Sequence, residues 1–342
     1  MPTGERRSER AGVRPRTHSR LAYYRRIFAA YLLGGNSHLT FWHERPEVNF
    51  EAPTDRLGQY YMLFTQKAAY PGPFDVQGIP LLDYRGLIGK QYNPIAIAQF
   101  GLAQYNTHAR TRDPESRRRF LRVADWLVEH LEQTSRGLYV WNHHFDWEYR
   151  EVLQAPWPSG LAQGQGISVL VRAALEEPKN GLYLQAAATA FGALLKKVED
   201  GGMLSKLPGG HLWIEEYITQ PPTHILNGFI WALWGVYDYY LATRDQRVSL
   251  LFDEGLRSLE VALPLFDTGY WSLYDLSMRG RLKMLASPFY HRLHIAQLQA
   301  TERIASRPVF VEYATRWEGY QRDRRRRARA LGEKAIFKLL RY

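Results

Sequence analysis

Cysteine is absent from the 342 residues, which removes disulfide frameworks, thiol nucleophiles and cysteine-ligated metals and fits a reducing compartment. No stretch approaches the roughly 18 consecutive uncharged apolar residues that a membrane-spanning helix needs. The histidines never fall into His-Glu-x-x-His or a comparable ligand spacing, so no metal is expected. No internal repeat of fixed period is visible either. What is present is a 45% hydrophobic composition, enough for a sizeable core, and a net charge of +11 placed unevenly. Arg6, Arg7, Arg10, Arg14, Arg16 and Arg20 crowd the first twenty residues, and Arg322, Arg324 to Arg327 and Arg329 form a second block. Such blocks are ordinarily solvated, and they steer polyanions: nucleic acid, anionic lipid or acidic polysaccharide. No nucleic-acid-binding motif accompanies them, so nucleic acid is not expected. Arg25-Arg26-Ile27-Phe28 loosely resembles a twin-arginine signal, but its apolar run stops at Leu33 without a cleavage site. The expected location is cytoplasmic, with peripheral membrane contact open to the basic ends.

Organisation follows from punctuation and periodicity. Residues 1–20 lack large apolar groups and read as a disordered basic tail. Residues 21–90 read as a helix from Tyr23 to Leu33, ended by Gly34-Gly35, and an extended segment that packs on the catalytic domain. Residues 91–342 read as that domain. Helical runs are expected from Pro94 to Tyr105, Asp113 to Glu132, Leu161 to Leu175, Gly181 to Val198, Thr223 to Thr243, Gln246 to Leu263, His291 to Ser306 and Val309 to Leu331. Strand pieces are expected at 137–142 and 210–214. Paired helices joined by loops of alternating length predict a mainly α fold, an incomplete or full α/α barrel (toroid) with short β-hairpins in the site-forming loops.

The chemistry concentrates in Trp213-Ile214-Glu215-Glu216-Tyr217, followed by Asn227-Gly228 in a strongly apolar helix. Carboxyls and phenols beside aromatic faces suit a sugar, which stacks on rings and offers hydroxyls to acids and bases. Three further clusters share that character: Gln91-Tyr92-Asn93-Pro94 opening one helix, Gly160 to Ser168 with Gln163 and Gln165, and Asp267 to Leu276 with Trp271 and Tyr274, followed by Pro288-Phe289-Tyr290-His291-Arg292.

Taken together in this order, from roughly Tyr70 to Ala300, these segments resemble the C-terminal catalytic domain of the D-glucuronyl C5-epimerase family, the heparosan-modifying enzymes. The resemblance implies inversion of C5 of glucuronate units in a polysaccharide, giving iduronate, with no cofactor, and a homodimer. It implies that Glu216 and Tyr290 are the acid/base pair, Tyr217 and Tyr274 supporting phenols and Asn227 a substrate-binding amide. Gln163, Gln165, Tyr92, Trp271 and His291 join as substrate-binding candidates, with Arg279 and Arg292 as cations for the substrate or for a tyrosine base. Most of the family's β-sandwich is missing from the interval before Gly160. Ser277 stands where the family commonly has an arginine, and Arg279 is the expected substitute.

Each residue also has a plainer role. Glu215 reads as a cap or salt-bridge partner, His224, His291 and His294 as packing residues, and Trp213, Trp231 and Trp271 as core. The rival activities are a polysaccharide lyase, which starts with the same proton loss, a glycoside hydrolase using Glu215 or Glu216 with Asp275, and a uronate-glycan-binding protein with an altered site.

Overall fold

The structure, a computed structural model, describes residues 41, 42, 44–277 and 283–341, with side chains as far as residue 337. The basic tail, the helix expected at 23–33 and Arg279 lie outside the described residues. After a single helical turn, α1 (Thr65–Ala68), eight helices are described as four consecutive pairs: α2 (Pro94–Thr111) with α3 (Pro114–Glu129), α4 (Gly160–Glu176) with α5 (Gly181–Phe191), α6 (Leu226–Thr243) with α7 (Gln246–Phe266), and α8 (Pro288–Ala305) with α9 (Pro308–Arg322). A last helix, α10 (Arg324–Arg341), packs on α9.

Apolar patterning decides which member of each pair lies inside. In α2, α4 and α6 every residue of 94–106, 160–173 and 226–236 is buried, so these helices have no solvent face there. Their partners are amphipathic; α3 buries Phe120, Val123, Ala124 and Leu127 on one stripe and turns its arginines outward. The inner helices neighbour one another in the order α2, α4, α6, α8, which makes the fold mainly helical, an arc of an α/α toroid. Close approach inside it depends on glycine. A Cβ on Gly164 would meet Ala232 Cα at 2.5 Å, and one on Gly235 would meet Gly164 O at 2.3 Å, so α4 and α6 cross backbone to backbone.

Three of the four inner helices, α2, α4 and α8, start from side-chain caps that satisfy first N–H groups. Asn93 accepts from Ile95 and Ala96, Ser159 from Ala162, and Ser287 from Tyr290. Pro94 and Pro288 occupy first-turn positions where a missing donor costs nothing. Several boundaries differ from the sequence expectation: α2 runs on to Thr111, and the run from Gly181 gives way to 3-10 turns after Phe191. Residues 223–225 stay outside the helix because Leu276 N–H donates to Thr223 O (2.9 Å) and Ile225 bridges Asp275. The run from Val309 breaks at Asp323, whose carboxylate caps the next helix at Arg325 and Arg326.

The strands form only two-stranded antiparallel ribbons: β1 (Leu82–Asp83) with β2 (Lys90–Gln91), β3 (Glu132–Gln133) with β4 (Tyr139–Val140), β5 (Asn142–His143) with β8 (Trp157–Pro158), β6 (Trp147–Glu148) with β7 (Val152–Leu153), and β9 (Leu204–Lys206) with β10 (Leu212–Ile214). No β-sandwich occurs among the described residues. At the other end of the arc residues 58–62 pack against the inner helices. Asn106 accepts from Tyr60 N–H (2.6 Å) and donates to Met62 O (2.8 Å), and Tyr60 stacks on Trp231. Among the described residues no helix is long and apolar enough to cross a membrane.

Candidate active site

The starts of all four inner helices meet at one end of the arc, and Glu216 sits among them. It leaves β10 beside the start of α4, where Gly160 N–H donates to both Glu215 O (3.2 Å) and Glu216 O (3.3 Å) and Ser159 bridges Tyr217. Any side chain on Gly160 would strike Glu215 O at 2.2 Å. The Glu216 carboxylate lies over the first turn of α6: Asn227 Nδ2 donates to its Oε2 (3.3 Å), and a Cβ on Gly228 would come within 2.3 Å of that same oxygen. The Asn-Gly pair therefore makes both a donor and a space for the glutamate.

Glu216 is only 3% exposed, and among the described residues no cation pairs with it. Burial pushes its carboxyl up to about 8, with the charge of Glu215 adding to the rise. Hydrogen bonds from Tyr217 and Asn227 pull the other way, as does the positive end of α6. The result is an acid mostly protonated at pH 7 and half-ionised near 8, close enough to neutrality to serve general acid–base catalysis.

Three phenols surround it. Tyr274 and Tyr290 meet edge to face with ring centroids 4.8 Å apart, Tyr290 standing in the first turn of α8. Burial, followed by the charges of Glu216 and Tyr290, raises the Tyr217 and Tyr274 hydroxyls well above the ordinary phenol range. Both thus remain neutral donors. Tyr217 and Tyr290 are half-buried, so the cluster has an open side. The structure brings the four residues expected to act together, Glu216, Tyr217, Tyr274 and Tyr290, into one group.

Neither neighbouring carboxylate offers a second acid/base group. Glu215 takes the Ser205 hydroxyl (2.5 Å) and the His224 N–H (3.0 Å), with His224 Nδ1 2.6 Å from its Oε1. These bonds hold His224 at φ 52°, in the left-handed region. Asp275 accepts from Tyr149 OH (2.5 Å), Ser277 N–H (3.1 Å) and the Ser277 hydroxyl. The pairing that a glycoside hydrolase would need is tied up in the scaffold.

Several expected ligand-binding residues are placed elsewhere. Gln163 is fully buried and donates to Tyr139 O (2.9 Å) and Ala190 O (2.8 Å), closing backbone gaps rather than facing a ligand. Gln165 is also fully buried, accepting from Gln99 Nε2 (3.1 Å) between the inner helices. Tyr92 packs on Trp126 of α3 and bonds Asp75 (2.7 Å), on the outer side of the arc. Trp271 is core, stacked on His291 and donating to Ala286 O (2.9 Å). His291 is fully buried between Ser272 and Trp317 O. Arg292 is exposed, bonds Pro288 O (3.2 Å) and faces Arg327 and Arg45 rather than a phenol. Asn227 touches Glu216 itself, leaving Oδ1 unpartnered.

The sequence reading missed the β6–β7 hairpin. Its Tyr149 rests on Tyr217 (4.8 Å between centroids) and bonds Asp275, and its Arg150 donates to Ser277 O (2.8 Å). With Tyr84, Phe145, Trp147 and Trp157 it belongs to a second, smaller apolar cluster that includes Tyr217 at the site end. Asn93, besides capping α2, donates to Tyr84 OH (2.8 Å). An adjacent tyrosine and arginine in an aromatic-rich loop were the available signal, but no spacing connects them to residues over a hundred positions away.

A family model described as D-glucuronyl C5-epimerase C-terminus matches residues 134–319. The chain is 35% identical over 223 residues to D-glucuronyl C5-epimerase of Caenorhabditis elegans, an alignment covering 60% of this chain and 35% of that protein; it thus spans about a third of the length of that relative. An uncharacterized protein of Methanocaldococcus jannaschii is 26% identical over 269 residues, 72% of this chain and 85% of that one. Among solved structures, an unsaturated glucuronyl hydrolase specific for heparin matches with a TM-score of 0.45 at 12% identity, over 65% of this chain and 60% of that chain. A likeness at that level decides nothing about activity.

Proposed function

The chain belongs to the D-glucuronyl C5-epimerase family, and from that premise we propose that it inverts C5 of D-glucuronate residues in a heparosan-like polysaccharide, giving L-iduronate. The observation that carries this reading is Glu216: a buried carboxyl with no pairing cation among the described residues, raised to about 8 and set among three phenols. The reaction removes the proton from the carbon beside the sugar carboxylate, and the bond electrons move into the carboxyl group to give a dianionic, enediolate-like intermediate. A proton then returns to the opposite face of the same carbon. Such a step needs a base on one face, an acid on the other and donors around the growing charge. Glu216 and Tyr290 serve as the acid/base pair. Tyr217 and Tyr274, kept neutral, serve as donors, and Asn227 orients Glu216.

The reading is tested by incubating the protein with heparosan in heavy water and following the polymer by NMR. Deuterium at C5 with iduronate signals is the expected result. Ultraviolet absorbance of an unsaturated uronate would instead identify a lyase, in which loss of the C4 substituent follows the same proton abstraction. Binding without isotope exchange would leave a glycan-binding protein.

A further inference from the structure

Arg150 is a cation at the site end that forms no ion pair among the described residues. It sits at the tip of the β6–β7 hairpin, whose fold across the site end is fixed by Tyr149 against Tyr217 and by the Tyr149–Asp275 bond. One of its terminal nitrogens donates to Ser277 O (2.8 Å), while its Nε is buried without a partner. Asp275 feels its charge, yet that carboxylate is occupied by Tyr149 and Ser277, and no ion pair joins it to Arg150. A guanidinium presents five donors in a planar fork matched to a carboxylate. Here one terminal nitrogen anchors the fork to the backbone, and among the described residues no carboxylate completes it.

We propose that Arg150 binds the carboxylate of the sugar being epimerised, through the terminal nitrogen that Ser277 leaves free, and thereby selects uronates over neutral sugars. This rests on the epimerase reading of the same site. The anchor on Ser277 O fixes the guanidinium while the hairpin brings Tyr149 against Tyr217, so substrate carboxylate and proton-transfer groups share one rigid support. The charge that accumulates on the substrate carboxyl during proton loss then develops beside a fixed cation rather than in water.

The test compares heparosan oligosaccharides with their carboxyl-reduced counterparts as ligands for wild type, Arg150→Gln and Arg150→Lys, alongside C5 deuterium exchange and thermal unfolding of each. Wild type should bind the carboxylate form more tightly. Arg150→Gln should lose on the order of 30-fold in affinity for the carboxylate form, as expected of charge-assisted hydrogen bonds, while binding the reduced form as wild type does. A merely structural role would weaken both alike. Arg150→Lys keeps the charge without the fork and should lose roughly 10-fold on the carboxylate form alone; should the glutamine variant not fold, undiminished discrimination by the lysine variant overturns the assignment. Wild type that exchanges deuterium while folded Arg150→Gln discriminates as well as wild type overturns the role of Arg150 and leaves the epimerase reading standing. Wild type that neither exchanges nor discriminates overturns both.

Discussion

Two buried carboxyl groups stand at opposite ends of the same inner helix, and they differ in company. Asp238, near the C-terminal end of α6, receives the Arg172 guanidinium through two nitrogens (2.6 and 3.1 Å) and the Tyr61 hydroxyl (2.7 Å). Arg172 in turn donates to Gly58 O and Ser168 O and lies over the rings of Tyr60 and Tyr61. Glu216, before the N-terminal end, has an amide and a phenol but, among the described residues, no cation. A buried charge that is paired and fully hydrogen-bonded fixes a structure, whereas a buried acid denied a counter-ion is kept ready to exchange a proton. Sequence marks both as polar residues in apolar surroundings; only their partners separate scaffold from chemistry.

The largest effect that would sharpen this contrast is on turnover. Glu216→Gln should lower C5 deuterium exchange by ~100-fold or more without destabilising the fold at neutral pH, and near-normal exchange would remove Glu216 from the mechanism. At the other end Asp238→Asn should cost roughly 3–5 kcal/mol in denaturant unfolding, because it strands Arg172 in the core. Replacing Arg172 and Asp238 together by Met and Leu should recover most of that loss; if the double replacement is as harmful as the single one, the pair does more than neutralise itself.

pH separates the two ends as well. The Glu216 carboxyl is raised from 4.5 to about 8 in the folded chain, so between those values the native state holds a proton that the unfolded chain has released. Stability from this group is greatest below pH 4.5, falls as pH rises through that window and is fully lost above about 8. Wild type should therefore lose a few kcal/mol relative to Glu216→Gln between pH 5 and 9, measured by urea unfolding at each pH; parallel curves would mean that Glu216 titrates normally. Smaller effects probe the pocket itself. Gly228→Ala forces a methyl into Glu216 and should cost about 1–3 kcal/mol. Tyr217→Phe removes a bond that favours the ionised carboxylate, so the Glu216 titration should move higher still and exchange should fall by roughly 10-fold.

The elements of this site were unequally legible in the chain. Helix pairs, the opening of α2 at Pro94, and the group Glu216, Tyr217, Asn227, Tyr274 and Tyr290 follow from local pattern and ordered motifs. Gln163 and Gln165 resemble ligand-binding residues because their inner helix is buried on every side. Its polar groups then serve neighbouring backbone and side chains, a role invisible without tertiary contacts. Tyr92 sits one position before the cap of α2, enough to turn it to the outside. Arg150 escaped because its meaning depends on the Ser277 carbonyl, 127 residues further along the chain.

The most direct check on an acid kept uncompensated is to titrate it: the ¹³C shift of the Glu216 carboxyl, assigned by its disappearance in Glu216→Gln, followed from pH 4 to 10. A midpoint near 8 is the predicted result. A midpoint near the ordinary 4.5 would mean that the carboxylate is stabilised after all, and the contrast between the two ends of α6 would fail.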